Sequence, residues 1–598
     1  MSIILGISDS HEAHACILVN GNVVCAIAEE RLTRLKADMG YPKNAIDAVL
    51  KISGISAHEI HRVAFAGAKG TPFHALYKIN ALFSVKDWIE QCHKYWGPKL
   101  LEGEALTAWD DFEMFKHIRG EEISEDPYFK FIERYESSES QDFYSIYNDI
   151  RAETVMSHLN IEREKIKFFR HEDCHKVFGV LSSPRKLDKS VVLTLEGGGD
   201  DSSATYSIQN NKNISEIWSS NSVNLGRLYR YITLILGMKP SQHEYKVMGL
   251  APYGTKYNGA SSKAFFDSLS HVDNHKIISS NLVKDLYFSV RTALEGERFD
   301  GIAWGLQEHV EEILVTWVNN CIKEAKTKNV ILSGGVGQNI KASKRIIDDT
   351  DADYFWAGPI CGDGSLGIGA ALLAYDENEY ETELCSLDNV YLGSEFEFSH
   401  IEKELSNFVF KNDFSIVERP STEMISSWLA NGKICARFSG RMEFGQRALG
   451  NRSIIADPRD PNVVAKINQK VKVRDFWMPF TPSMTDREAE RSVSNTKNIY
   501  SPYMTIAFDL KDGFEEKIPG AIHPADKTAR PQMLKRKDNP QYYSLLEKFG
   551  EISGAECLLN TSFNLHGDPI VETPKQALET FEKTEIDILL FDDIAVCQ

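Results

Sequence analysis

Three glycine-rich loops constrain the fold of this chain most: LEGGGDDSS at 195–203, SGGVGQN at 333–339 and GDGSLGIGAA at 362–371. Each follows a short apolar run that reads as a β-strand, namely Val191–Leu195, Val330–Leu332 and Tyr354–Ala357. A strand that ends in glycines lets backbone N–H groups come close enough to cradle a phosphate. One such loop is a common turn. Three of them among alternating strands and helices point to an α/β nucleotide fold. Asp363 stands between two glycines, placed as a metal ligand or as the N-cap of the helix that SLGIGAALLAY predicts.

The N-terminus belongs to the same pattern. Ser2–Ser8, His14–Val19 and Asn22–Ala28 read as three short strands, with Asn20–Gly21 as a hairpin turn and Asp9-Ser10-His11 as a polar first connection. Residues 70–165 read as an inserted section rich in helix and aromatics, and Tyr77, Trp88, Tyr95 and Trp96 are its expected pocket-lining side chains. A strand at Ile166–Phe169 and a long amphipathic helix near Phe299–Lys326 follow. A chain of 598 residues exceeds a single core, so two to four domains are expected. The acidic, irregular stretch Asp376–Ser399 is the best boundary, giving domains 1–395 and 396–598. No internal repeat is visible by eye. EYKVMGLAPYG at 244–254 reads as a turn-bounded packing segment.

The net charge of −19 argues against a broad nucleic-acid footprint. The ten cysteines include no C-x-x-C pair, which fits free thiols in a reducing compartment. The start of the chain lacks a basic n-region, and no apolar run approaches the ~18 residues of a membrane span. A soluble, cytoplasmic protein is expected.

Against that acidic background residues 440–482 stand out. Arg441, Arg447, Arg452, Lys472 and Arg474 lie there beside Gly445 and Gly450. Glycines permit close backbone approach, and guanidinium forks match phosphate or carboxylate oxygens. The pattern suits a small polyanion; a solvated charged surface would not need the glycines. Arg530, with His523 and Lys527, and Ser562, with Asn560 and Thr561, lie on later loops able to complete such a pocket. The string HEDCH puts His171 and His175 at i, i+4, able to grip one metal ion if helical. It also spells H-E-x-x-H, with Glu172 as a metalloprotease base. The strand-like IKFFR before it argues that the helix begins at the histidines, unlike a zincin.

Taken together, GISDSHEAHACILVNG, AEERLTRLK, the His-x₃-His pair, EYKVMGLAPYG, SGGVGQN, the Asp363 loop, GRMEFGQRALGNRS and TSFNLHGDPIV resemble the O-carbamoyltransferase family of antibiotic, nodulation-factor and toxin biosynthesis. The resemblance implies an N-terminal actin-like (ASKHA-type) domain related to threonylcarbamoyl-transfer proteins, and a C-terminal YrdC-like α/β domain. It implies that carbamoyl phosphate and ATP, with Mg²⁺, give carbamoyl-adenylate in the second domain. The first domain would then pass the carbamoyl group to a hydroxyl of a small natural-product acceptor. By match, Arg441, Arg447, Arg452, Lys472, Arg474, Arg530 and Ser562 hold the adenylate, with Arg447 and Lys472 catalytic. His171, His175, Asp363 and Glu196 are the metal ligands, for iron or else zinc. His11 is the acid–base histidine, and Gly334, Gly335 and Asn339 hold nucleotide. The family has an Asp-Gly pair where this chain has Glu196–Gly197, which makes Asp200 a rival ligand. A homodimer is an admissible assembly; membrane and nucleic acid are not expected partners. The alternatives are threonylcarbamoyl-adenylate chemistry on tRNA, a zinc peptidase at HEDCH, and a non-catalytic nucleotide sensor.

Overall fold

The structure, a computed structural model, describes residues 2–70, 72–137, 142–280, 283–376, 387–472 and 474–598. They form two compact units, one of residues 1–33 and 37–387, the other of 34–36 and 388–598. Residues 377–386 of the acidic stretch expected as a boundary lie outside the described residues.

The first unit carries two five-stranded sheets. β1 (Ile3–Ser8), β2 (His14–Val19), β3 (Asn22–Ala28), β4 (Arg62–Ala66) and β5 (Ile166–Phe169) form the first, in the order β3-β2-β1-β4-β5. β6 (Lys189–Leu195), β7 (Ala204–Asn210) and β8 (Asn213–Ser220) open the second. After a small hairpin, β9 (Ser270–Asp273) and β10 (Lys276–Ser279), it is completed by β11 (Asn329–Ser333) and β12 (Tyr354–Ala357), in the order β12-β11-β6-β7-β8. In each sheet the first strand has an antiparallel meander on one side and two parallel strands on the other. The repeat that the eye misses in the sequence is therefore a repeat of topology.

The local chemistry explains these elements. β1 is buried along all six residues, as a two-faced central strand requires. Asn20 and Gly21 both adopt positive φ (48° and 81°), the conformation of a two-residue hairpin turn. Two helices then bring the sheets together: His171–Leu181 after β5, and Leu366–Asp376 after β12. The first leans on the second sheet, since a Cβ on Gly179 would lie 3.1 Å from Ile331 Cγ2. The second lies on the first sheet, where a Cβ on Gly6 would be 2.1 Å from Gly367 O. The helices also touch each other, because a Cβ on Gly369 would be 2.2 Å from Cys174 O. At positions 6 and 369 the Cβ would meet backbone oxygen, so glycine is required there.

EYKVMGLAPYG forms the helix Glu244–Leu250 and a short turn, and Gly254 packs against Asp300 O. The section 70–165 has its own aromatic core: Tyr77 stacks on Phe83 at 5.4 Å, and Trp88 meets the same ring edge-on at 5.7 Å. Tyr77, Trp88 and Tyr95 are buried, so their expected place on a pocket wall is corrected to the helical core; Trp96 is half-buried.

The second unit is built on one eight-stranded, mostly antiparallel sheet. Its strands are β13 (Ser415–Glu418), β14 (Cys435–Phe438), β15 (Arg452–Ala456), β16 (Thr481–Thr485), β17 (Gln532–Leu534), β18 (Cys557–Ser562), β19 (Ile588–Leu590) and β20 (Ile594–Cys597). Their order is β13-β20-β19-β14-β15-β18-β16-β17. Apolar residues alternate between two clusters along β14 and β18: Ala436 and Leu559 belong to one, Cys435 and Leu558 to the other. Helices Thr422–Ala430, Pro540–Ser553 and Pro574–Glu582 contribute to these clusters. Both units are mixed α/β, and no helix is long and apolar enough to cross a membrane among the described residues.

Candidate metal centre and anion site

In the first unit both sheet-joining helices begin at one place. His171 and His175 lie one turn apart at the start of one, and Asp363 lies just before the other. Glu196 follows β6. One donor atom from each of these four lies within 4.8 Å of all the others. His175 Nε2 is 2.7 Å from Glu196 Oε1, 3.8 Å from Asp363 Oδ1 and 3.2 Å from His171 Nε2. His171 Nε2 is 3.7 Å from Asp363 Oδ1. Burial disfavours a charged His175 imidazole, but the facing carboxylates of Glu196 and Asp363 outweigh it and raise its pKa to about 10. Burial likewise disfavours the Asp363 carboxylate, and His171, His175 and His11 reverse that and hold its pKa well below the usual range. A buried and a half-buried carboxylate facing two imidazoles form a mixed nitrogen and oxygen donor set that fits a divalent cation.

The rival ligand Asp200 has another task. It accepts hydrogen bonds from the backbone N–H groups of Ala68, Lys69 and His171, at 2.7, 3.1 and 3.0 Å. The bond to His171 satisfies an orphan donor at the start of that helix. Glu172, the base of the peptidase reading, is also engaged: its Oε1 takes the N–H of Asp201 and of Ser202, at 2.7 and 2.6 Å. Gly335 donates its N–H to Glu196 Oε1 at 2.9 Å, so the SGGVGQN loop borders the cluster. Asn339 is not at the cluster. Its Oδ1 caps the helix Ile340–Asp349 through Ala342 N–H, and its amide pairs with Gln307.

The loop after β1 reaches the same place. Ser10 Oγ donates to Asp363 Oδ2 at 3.5 Å, and a Cβ on Gly364 would lie 2.9 Å from Glu12 Oε2. Glu12 itself has φ +60°, an uncommon conformation for a side-chain-bearing residue. His11 meets Asn80 of the helical section, Nδ2 to Nδ1, at 2.6 Å. With that amide nitrogen donating, the neutral ring carries its proton on Nε2; a half-turn of the amide would present Oδ1 and leave Nε2 free to accept one. Asp9 is buried in an ion pair with Arg151, at 2.7 and 2.8 Å, and accepts from Tyr128 and Tyr147. His14 is held between Glu12 O at 2.8 Å and Gly367 N–H at 2.9 Å; burial lowers its pKa to about 4, so it is neutral.

The second unit gathers cations. The Lys472 ammonium is buried and meets only neutral oxygens: Ser562 O at 2.6 Å, Ser562 Oγ at 3.2 Å, Asn564 Oδ1 at 2.8 Å and Asn564 O at 3.0 Å. Burial, then repulsion from Arg474, pushes its pKa far below that of an ordinary lysine. Arg530 is pushed down in the same way, by burial and then by Arg447 and Arg474, and its Nε is buried without a partner. Arg474 donates to Thr561 Oγ1 at 3.2 Å. Arg474 thus lies near both Lys472 and Arg530, and Arg447 lies near Arg530. Arg452 and Arg441 point elsewhere. Fully buried Arg452 donates to the carbonyls of Ser439, Asn451, Ser394 and Gly440, and Arg441 to those of Gly393 and Leu392.

Sequence reasoning passed over Asn80, Arg227 and Arg230. Arg227 Nε donates to Gly197 O at 2.7 Å, next to Glu196. The i, i+3 spacing of two arginines in LGRLYRY was the available signal.

Two family models match the chain: carbamoyltransferase N-terminus over residues 3–372 and carbamoyltransferase C-terminus over residues 426–598. The uncharacterized protein MJ1058 of Methanocaldococcus jannaschii is 33% identical over 76% of this chain and 78% of its own length. Nodulation protein NolNO of Sinorhizobium fredii is 25% identical over 97% of this chain and 78% of its own. Among solved structures, component A of the (R)-2-hydroxyglutaryl-CoA dehydratase of Acidaminococcus fermentans covers 64% of this chain and 100% of its own, at 14% identity and a TM-score of 0.32, too slight a likeness to assign a fold.

Proposed function

Because the chain belongs to the carbamoyltransferase family, whose two models together match most of its length, we propose that it is an ATP-dependent O-carbamoyltransferase with carbamoyl phosphate as donor. With one water consumed, carbamoyl phosphate and ATP would give carbamoyl-adenylate, pyrophosphate and phosphate in the second unit. The carbamoyl group would then pass to an alcohol in the first unit, releasing AMP. The duplicated sheet topology supports the actin-like reading of the first unit. The observation that carries the proposal is the cation cluster: the buried Lys472 ammonium donates to neutral oxygens, and Arg530, beside Arg447 and Arg474, has a buried Nε without a partner, an arrangement that suits an anion.

In the second unit Lys472, Arg447, Arg474 and Arg530 would bind and orient the phosphates. Each charge-assisted hydrogen bond contributes roughly 1.5–3 kcal/mol, and Lys472 would stabilise charge developing at the attacked phosphorus. In the first unit His171, His175, Glu196 and Asp363 would hold a divalent ion, whose contribution when bound is to polarise a carbonyl or phosphoryl oxygen. His11 would take the proton of the attacking alcohol at Nε2, which requires the Asn80 amide to present Oδ1 to Nδ1–H. The occupied Glu172 disfavours the peptidase reading.

The test needs no acceptor. Purified protein is incubated with ATP, Mg²⁺ and carbamoyl phosphate, and pyrophosphate release is followed with the mass of carbamoyl-adenylate. Product with carbamoyl phosphate supports the proposal. Product only when bicarbonate and threonine replace it would move the protein to threonylcarbamoyl chemistry.

A further inference from the structure

We infer that Arg227 and Arg230 form an anion clamp over the glycine loop 197–199 that grips a phosphate group of the adenylate in the first unit. The helix Leu225–Ile235 starts against this loop: a Cβ on Gly226 would lie 2.7 Å from both Glu196 O and Gly197 N. Positions 227 and 230 are i, i+3 and share one helix face. Both guanidinium groups lie along the loop. A Cβ on Gly197 would be 3.3 Å from Arg230 Nη2, and one on Gly198 would be 3.3 Å from Arg227 Nη2. Side chains on the loop would therefore crowd the forks.

Among the described residues neither arginine has a carboxylate partner, whereas Arg134, Arg151, Arg170, Arg298 and Arg345 of the same unit all have one. In a protein of net charge −19, two arginines one turn apart without a carboxylate beside them leave positive charge along the loop. Arg227 is exposed at the surface of the loop, and its pKa is lowered by desolvation and then by the neighbouring charge of Arg230, so an anion between the two forks would offset like charge. The loop they cover runs directly on from Glu196 of the metal-ligand cluster. A phosphate there is held by guanidinium forks on one side and by the loop's backbone on the other. The clamp reads phosphate and not the base, so AMP, ADP and the adenylate share the chemistry it recognises.

This inference rests on the reading that carbamoyl-adenylate is consumed in the first unit, and its test separates the two. The full-length protein is treated with phenylglyoxal, and arginine labelling is mapped by mass spectrometry with and without saturating AMP, ADP or inorganic phosphate. Protection of Arg227 and Arg230 by the nucleotides is expected. The variant R227Q/R230Q should form carbamoyl-adenylate at the wild-type rate yet lose roughly 10- to 100-fold in kcat/KM for transfer. Lysine at both positions should recover part of it. Protection confined to Arg447 and Arg530 would overturn the clamp and leave the two-step reading standing. Protection by an anionic acceptor but not by nucleotide would overturn it in favour of an acceptor site. Protection of Arg227 and Arg230 in a protein that makes no carbamoyl-adenylate would support the clamp while removing the donor reaction.

Discussion

The buried pair Asp9–Arg151 offers the sharpest test of how the first unit is held together. Arg151 donates to both Asp9 oxygens, to Gly67 O at 2.7 Å and to Asn148 Oδ1 at 3.1 Å, and its guanidinium lies 4.0 Å from the centroid of the Tyr147 ring. Arg151→Met keeps most of the volume and removes every donor. Asp9 then stays buried with only the hydroxyls of Tyr128 and Tyr147, and the Gly67 carbonyl loses the Arg151 donor. A broken buried pair costs about 3–5 kcal/mol, and an orphaned carbonyl adds about 1. The expected loss is about 4–6 kcal/mol, read by urea unfolding through tryptophan fluorescence, since seven of the nine tryptophans lie in this unit. The double variant Asp9→Asn/Arg151→Met buries no lone charge. It should be more stable than the sum of the single changes by at least about 2 kcal/mol. An Arg151→Met loss under about 1 kcal/mol, or additivity within about 0.5, would show that the pair does not act as a unit.

Three further outcomes are expected. Lys472→Ala and Arg447→Ala should abolish carbamoyl-adenylate formation, while His11→Ala and His171→Ala should spare it and block transfer; failure of all four at one step would refute two separate sites. His14 has its folded pKa lowered to about 4, so its contribution is full above the unfolded value of about 6.5 and is lost as pH falls through 4. Between pH 7 and pH 4 the wild type should lose about 3 kcal/mol more than His14→Gln does, and equal pH slopes in urea titrations would contradict this. Gly369→Ala puts a methyl where the backbone of Cys174 stands, which should cost about 1–3 kcal/mol and weaken metal uptake measured by equilibrium dialysis; unchanged uptake would separate the helix contact from the ligand cluster.

Much of the fold was legible because burial writes itself as apolar runs. β2, β3, β5 and β12 occupy the residues the sequence reading assigned them. The histidine pair was legible from its helical spacing, and the nearness of Arg447, Lys472 and Arg474 from basic residues beside glycines. What could not be read is direction. Nothing in LEGGGDDSS says whether Glu196 or Asp200 turns toward the histidines; the structure turns Glu196 there and ties Asp200 to three backbone N–H groups. Arg452 and Arg447 look alike in sequence, but Arg452 faces inward onto backbone carbonyls. The aromatics of 70–165 were assigned to a pocket because a helical insert with its own core cannot be told from a binding wall by composition. The repeated topology left no trace because hydrogen-bond order constrains the backbone and not the identity of side chains.

The glycine contacts that cross the helices have a mechanical meaning. Each helix follows one sheet and rests on the other, and they meet where no side chain separates them. A rotation of one sheet against the other therefore has its fulcrum at this crossing. Outer strands such as β3 and β8 would sweep the largest arcs, while His171, His175, Glu196 and Asp363, gathered at the hub, would keep their mutual spacing. Any opening of the unit about this crossing would leave those four donor groups together.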